Sequence, residues 1–145
     1  MTIDSALLHS KLKEFFGFDS FKADQERVIK HLVDGNNAFV LMPTGGGKSL
    51  TYQVPALAVE GLTIVITPLI ALMKDQVDAL RKRGISAVAV HSGMESRRIE
   101  SALDNCTYGD VKLLYISPER LATDAFRVRL LRMNVAIVAV DEAHC

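Results

Sequence analysis

The sequence lacks tryptophan, contains only two cysteines and carries no net formal charge at pH 7. Cys106 and Cys145 have no metal-ligand spacing and are too sparse for a secreted disulfide scaffold, so we interpret both as reduced thiols. Because 17 basic residues balance 17 acidic ones, no global field attracts a polyanion. Any contact with nucleic acid must therefore be local.

Long hydrophobic runs are also absent. The longest apolar stretches fall far short of the ~20 residues that span a bilayer, and no charged head precedes an apolar run at the N-terminus, as in a signal peptide. We therefore expect a soluble, cytoplasmic protein, associated with the nucleoid if it is bacterial. The 145 residues are 49% hydrophobic and 23% charged, which suits one globular domain, and no repeat or linker divides them.

The first 35 residues have the apolar spacing of two helices. One helix follows the capping candidates Asp4 and Ser5 and should stop at Gly17, and a second is predicted over 23–34, before Gly35. We treat 1–35 as an N-terminal helical segment.

The rest of the chain alternates short Val- and Ile-rich runs with amphipathic stretches, which predicts an α/β fold with a mostly parallel sheet flanked by helices. In such sheets ligands bind beyond the C-terminal ends of the strands. The predicted strands are 38–42, 62–67, 87–90, 112–117 and 135–140, and the predicted helices between them are 70–83, 96–103 and 124–132.

A glycine-rich segment, PTGGGKS (43–49), follows the first of these runs and precedes a helix-compatible stretch. Consecutive glycines let several backbone N–H groups point at one anion, a lysine can reach the outer phosphates, and a serine hydroxyl can bind Mg²⁺. The usual pattern begins with glycine where this chain has Met42, and a plain glycine-rich turn is the alternative. The residues that we assign to phosphate binding are Thr44, Gly45, Gly46, Gly47, Lys48 and Ser49, with Ser49 also on the metal.

An acidic pair, Asp141 and Glu142, ends the last apolar run. A phosphate-binding loop of this type needs a carboxylate to hold magnesium and a base to orient the attacking water. We assign the metal to Asp141 and the water to Glu142, with Lys48 as the third catalytic residue. Such a pair is otherwise a turn or a helix cap.

Four segments, in this order, resemble the N-terminal half of a RecQ-type ATP-dependent DNA helicase of superfamily 2. The resemblance covers nearly the whole chain, and that family accepts a residue other than glycine at Met42. It implies a first RecA-like P-loop NTPase domain over 36–145, with ATP and Mg²⁺ as cofactors. It also implies single-stranded and duplex DNA as partners, with 3′ to 5′ unwinding in repair and recombination. The segments are MPTGGGKS, TPLIALMKDQV, LLYISPERL and VDEAHC.

The resemblance also explains FFGFDSFKADQERVI (15–29), which is similar to the family's adenine-recognition motif. It implies that Phe18 stacks on adenine and that Gln25 hydrogen-bonds the adenine edge. Lys22 takes the place of the family's arginine and lacks its planar fork. Without the resemblance, Phe18 and Phe21 would be read as core aromatics.

The same family holds the DNA backbone through segments at strand ends, here 67–69 and 117–120. A proline turn closing each strand is the alternative. His144 resembles the residue that links hydrolysis to DNA binding. We interpret 91–93 as a loop and the basic side chains of the predicted helices as solvated, namely Lys74, Lys82, Arg83, Arg97 and Arg98.

The resemblance implies further parts: a second RecA-like domain with an arginine finger, and a strand between the phosphate-loop strand and the acidic strand. Without them we expect an inactive, marginally stable and aggregation-prone fragment. Two alternatives stay open, a non-catalytic nucleotide-binding module and an RNA helicase of the same superfamily.

Overall fold

A computed structural model of the chain describes residues 3–22, 24–41 and 47–142. The chain divides into two compact units, Met1–Glu60 and Gly61–Cys145, which we call unit 1 and unit 2. The functional division at residues 35 and 36 stays a prediction.

Unit 1 is helical in its described part. The Asp4 carboxylate accepts a hydrogen bond from the Leu7 N–H at 2.9 Å and caps the first helix, while Gly17 ends the helical segment in a left-handed conformation with φ 76°. Both predicted boundary signals are thus confirmed. The helices are α1 (Ser5–Lys11), continued by a π-helical turn (Leu12–Phe16), α2 (Gln25–Val33) and α3 (Leu50–Ala58).

The core of unit 1 forms where α3 packs against α1 and α2. Leu8, Leu12, Ile29 and Val54 are buried there. Burying a side chain of this size stabilises the fold by roughly 1.5–3 kcal/mol, which offsets part of the entropy lost by short helices. The helix that follows the glycine-rich segment, α3, is therefore anchored on the N-terminal helices.

The predicted strand at 38–42 is wrong over its described part. Residues 38–41 join no ladder of the described strands, and Phe39 and Leu41 are 84% and 85% exposed. An apolar run becomes a strand only when a neighbouring strand pairs its N–H and C=O groups, which a local pattern cannot guarantee. Met42 lies outside the described residues.

Unit 2 contains a parallel four-stranded sheet in the order β2-β3-β1-β4. These strands confirm four of the five predicted runs. Because all strands are parallel, their C-terminal ends share one edge of the sheet. The strands are β1 (Leu62–Ile66), β2 (Ala87–Val90), β3 (Leu113–Ile116) and β4 (Val135–Val140).

Helices cover both faces of this sheet. The connection from β1 to β2 runs in the opposite direction from the connection from β2 to β3, so right-handed crossovers place their helices on opposite faces. On one face Leu103 and Phe126 share a buried cluster with Ile64 and Ile116. The helices are α4 (Ile70–Lys82), α5 (Ser96–Tyr108), a 3₁₀ helix (Pro118–Ala122) and α6 (Asp124–Leu130).

Candidate functional site

The end of the glycine-rich segment in unit 1 leads directly into α3. Gly47 has a φ of 78°, in the left-handed region that favours glycine. Its carbonyl accepts the Leu50 N–H at 3.2 Å, and the Lys48 carbonyl accepts both the N–H and the hydroxyl of Thr51. Ser49 is the N-cap of α3. Lys48 and Ser49 therefore stand at the positive end of a nine-residue helix, where a phosphate is favoured.

Gln25 connects the adenine-motif segment to this loop. Its side chain is 2% exposed, its Oε1 accepts the backbone N–H of Lys22 at 2.8 Å, and its Nε2 donates to the Gly47 carbonyl at 3.0 Å. A Cβ atom on Gly47 would lie 2.2 Å from that Nε2. The close approach and the positive φ together restrict this position to glycine.

The aromatic residues of the adenine motif have different surroundings. Phe18 is 45% exposed, so it is not the core aromatic that an apolar side chain would suggest without the resemblance. Phe21 is half-buried and makes an edge-on contact with the His9 ring, with centroids 4.9 Å apart. Phe18 is thus the more exposed of the two aromatic residues. The Lys22 side chain is exposed.

In unit 2 the acidic pair ends β4. Asp141 is 8% exposed, and its N–H donates to the Ile66 carbonyl of β1 at 2.9 Å. Its Oδ1 accepts the N–H of Glu142 at 2.9 Å. Glu142 has a φ of 55°, the one positive value for a residue other than glycine in the described part of the chain. Strained backbone of this kind is concentrated at functional sites.

The other strand ends of unit 2 lie on the same edge as Asp141. Thr67 and Ser117 are buried directly after β1 and β3, and the Thr67 hydroxyl accepts the Leu69 N–H at 3.4 Å. The Ser92 hydroxyl donates to the Glu119 carboxylate at 2.5 Å. This bond joins the loop after β2 to the 3₁₀ helix after β3.

The charges around the C-terminal ends of the strands favour the negatively charged form of nearby groups. Burial, together with the positive charges of Lys74, Arg120 and Arg98, holds the pKa of His91 below its ordinary value. The hydrogen bond from Ser92 and one from its own backbone N–H hold the pKa of Glu119 below its ordinary value. His91 is therefore neutral at pH 7, and its Nδ1 accepts the N–H of Gly93 at 3.2 Å.

Part of the predicted site lies outside the described residues, namely Thr44, Gly45, Gly46 and His144. Lys48 and Ser49 belong to unit 1 and the acidic pair to unit 2. In the described ranges no three His, Cys, Asp or Glu side chains are grouped to hold a metal ion. Magnesium at a nucleotide is held by one or two carboxylates and the phosphates, so it requires no such group.

Two further observations concern membrane spans and the cysteines. None of the described helices is both long and apolar enough to cross a membrane. Burial raises the pKa of the Cys106 thiol to about 12, which keeps it protonated and unreactive. Cys145 lies outside the described residues.

The parallel sheet with helices on both faces, its acidic strand end and the glycine-to-helix junction define a RecA-like nucleotide-binding class. The chain belongs to the DEAD/DEAH box helicase family, whose model matches residues 22–145. The predicted fold class and resemblance are thereby confirmed.

Two individual relatives within this family are similar to the chain over most of its length. Over 136 residues the chain is 46% identical to the ATP-dependent DNA helicase RecQ of Haemophilus influenzae, covering 94% of this chain and 22% of that protein. It is 47% identical to the ATP-dependent DNA helicase RecQ of Bacillus subtilis over 138 residues, covering 94% and 23%. The chain thus spans less than a quarter of these relatives' length.

A solved structure supports the fold. The DUF1998 helicase MrfA matches with a TM-score of 0.73 at 19% identity, over 99% of this chain and 24% of that chain. At this identity the match concerns the fold alone.

Sequence reasoning missed two contacts, the Gln25 bond to the Gly47 carbonyl and the Ser92 bond to Glu119. Both join residues more than twenty positions apart, and no local spacing signals them. The buried position of His91 was also missed, although its place directly after a strand could have indicated it.

Proposed function

We propose that this chain is the nucleotide-binding part of a RecQ-type ATP-dependent DNA helicase that couples ATP hydrolysis to 3′ to 5′ unwinding in repair and recombination. The identity of 46–47% to two RecQ helicases supports the assignment. The observation that carries its nucleotide part is the Gln25 side chain, which ties the adenine-motif segment to the phosphate-loop backbone.

Adenine recognition is the proposed role of the N-terminal segment. Phe18 stacks on the base, since its ring is exposed. The Gln25 amide is the proposed contact to the adenine edge; it is 2% exposed, and one N–H donor and one acceptor lone pair remain beside its bonds to Lys22 and Gly47. Lys22 contributes a charge without a planar fork.

Phosphate and magnesium binding is the proposed role of the glycine-rich segment. The described residues fit this role: Gly47 allows a tight turn, Ser49 supplies an oxygen ligand and α3 supplies a positive end. Lys48 neutralises phosphate charge. Thr44, Gly45 and Gly46 complete the loop in this proposal.

Hydrolysis is the proposed role of the acidic pair, with Lys48. Asp141 holds magnesium and Glu142 orients the attacking water. Bound magnesium neutralises charge that develops on the phosphates. The N–H of Glu142 donates to the Asp141 carboxylate, which holds the backbone of the pair together.

Single-stranded and duplex DNA are the proposed partners, in the cytoplasm. The segments 67–69 and 117–120 lie at one edge of the unit 2 sheet, and we propose that they contact the phosphates of the DNA backbone without reading bases. Local positive charge around His91 supports an anionic ligand at that edge.

The test separates binding from turnover. A fluorescent ATP analogue titrated into the 145-residue chain should bind, with binding lost in Lys48→Ala and retained in the control Lys82→Ala. ATP hydrolysis should require the full reading frame that contains this sequence and should rise with oligo-dT.

Three other results would change the assignment. Stimulation by oligo-U but not oligo-dT would favour the RNA helicase alternative. Binding without turnover in the full reading frame would favour a nucleotide-binding module, and unchanged binding in Lys48→Ala would remove the phosphate-loop assignment.

A further inference from the structure

The outer edge of β2 is open in the described sheet. Among the described strands β2 pairs with β3 alone. Backbone groups of a parallel strand alternate between its two sides, and the Val90 carbonyl accepts the Ser117 N–H on the β3 side at 3.1 Å. Ala87 and Ala89 therefore direct their N–H and C=O groups to the outer edge.

One of these outward groups already accepts a hydrogen bond. Arg81 of α4 donates its Nε–H to the Ala87 carbonyl at 2.8 Å. A donor can therefore reach this edge in the plane of the sheet. Ala89, two residues further along, presents the next outward pair of groups.

A groove of about 500 Å³ runs along this edge, between α4 and α5. Its apolar surface comes from Val77, Val88 and Met94, and Ala89 lies on its wall. Its charged lining consists of Lys74, Arg81, Arg98 and Asp78.

The groove has an excess of positive charge, because three of its four charged side chains are cationic. His91 also lines the groove, and burial, together with the positive charges of Lys74, Arg120 and Arg98, holds its pKa below its ordinary value. Lys74 stands on α4 and Arg98 on α5, which lie on opposite faces of the sheet. A ligand at the strand edge thus meets a cation on each side.

We propose that this β2-edge groove binds an extended acidic segment of a partner protein, which adds to β2 as a further parallel or antiparallel strand. The backbone of the segment pairs with the N–H and C=O of Ala89. Successive side chains of a strand point to opposite faces, so two adjacent acidic residues reach Lys74 and Arg98 together. Nucleic acid shares the negative charge but cannot continue a backbone ladder.

Fluorescence anisotropy with a labelled peptide of sequence TVDEVT, added to the unaltered 145-residue chain, tests this proposal. We expect saturable binding that is lost for TVKKVT and for the acidic peptide N-methylated at alternate residues. Charge reversal in Lys74→Glu/Arg98→Glu should weaken binding at least ~10-fold. The matched control Lys82→Glu/Arg97→Glu changes one exposed cation on each of the same helices, outside the groove, and should weaken it less than ~2-fold.

The binding measurements with the three peptides use the unaltered chain, so each can overturn the proposal even if a protein variant misfolds. Absence of binding by TVDEVT, equal binding by TVKKVT, or full binding by the N-methylated peptide would reject strand addition. A second outcome would make the groove a nucleic-acid surface instead. In that case oligo-dT binds the chain, the Lys74→Glu/Arg98→Glu variant loses this binding, and TVDEVT does not compete with it.

Discussion

The two halves of the proposed nucleotide chemistry are held by different kinds of bond. In unit 1 the phosphate loop is tied to the adenine segment by one side chain, Gln25, through two hydrogen bonds. In unit 2 Asp141 is held by a backbone hydrogen bond that continues the β1 ladder. A side-chain tie is lost with a single substitution, whereas a backbone tie survives most of them. Nucleotide binding should therefore be more sensitive to substitution in unit 1.

The largest expected effect comes from Gly47→Ala. The new Cβ would lie 2.2 Å from Gln25 Nε2, and its φ of 78° costs an alanine about 1–2 kcal/mol. Affinity for a fluorescent ATP analogue should fall ~30-fold or more. Gly93→Ala is the control, because its Cβ would make only ordinary contacts, at 3.4 Å or more. Equal losses in both variants would contradict a special role for Gly47.

Gln25→Glu breaks the tie more gently. The carboxylate can still accept the Lys22 N–H, but it cannot donate to the Gly47 carbonyl, which leaves a half-buried acceptor facing a negative oxygen. Loss of such a buried bond costs about 1–3 kcal/mol, so nucleotide affinity should drop at least ~5-fold. The same chemical change at Gln76, in unit 2, serves as the control in the same titration. Unaltered affinity in Gln25→Glu would show that the bridge is dispensable.

In unit 2 we expect one substitution to raise the stability of the fold rather than to lower it. Glu142→Gly relieves the positive φ while the Asp141 N–H bond to Ile66 remains. The free energy of unfolding should rise by up to about 1 kcal/mol, and hydrolysis in the full reading frame should fall. Chemical denaturation measures the first and phosphate release the second. Glu100→Gly, at an exposed position inside α5, should destabilise instead. Destabilisation by Glu142→Gly would contradict the strain.

The smallest expected effect concerns pH. Since burial and nearby cations lower the pKa of His91, the unfolded chain binds a proton before the folded one does. The free energy of unfolding should therefore fall as the pH drops from about 6.5 towards the lower folded pKa. His91→Asn keeps an acceptor for the Gly93 N–H and should flatten this decline in denaturant titrations across pH. An unchanged decline would place its origin in other groups.

Local pattern predicted the limits of the first helical segment and four of the five strands. The capping signals of Asp4 and Gly17 marked α1 and its continuation, and four Val- and Ile-rich runs formed the sheet. The run at 38–42 is also apolar, yet its described part joins no described ladder, because pairing depends on a partner distant in sequence.

The candidate site likewise has residues that local motifs predicted and contacts that they did not. Motif spacing was enough to propose Lys48, Ser49, Asp141 and Glu142, whose roles stay predictions. The Gln25 bridge and the groove along β2 could not be predicted, since both arise from tertiary placement and from the order of strands.

The π-helical turn at Leu12–Phe16 has an evolutionary consequence. A π-helical turn holds one residue more than the α-helical turn it replaces, so it marks a place where an insertion can be absorbed without ending the helix. Deleting one residue there would restore a continuous α-helix and rotate the following residues by about 100° about its axis. Phe18 lies two residues beyond this turn, after Gly17, so chain length at this position affects where its ring is placed. Related sequences that differ here by a single residue should therefore differ in where they place this aromatic ring.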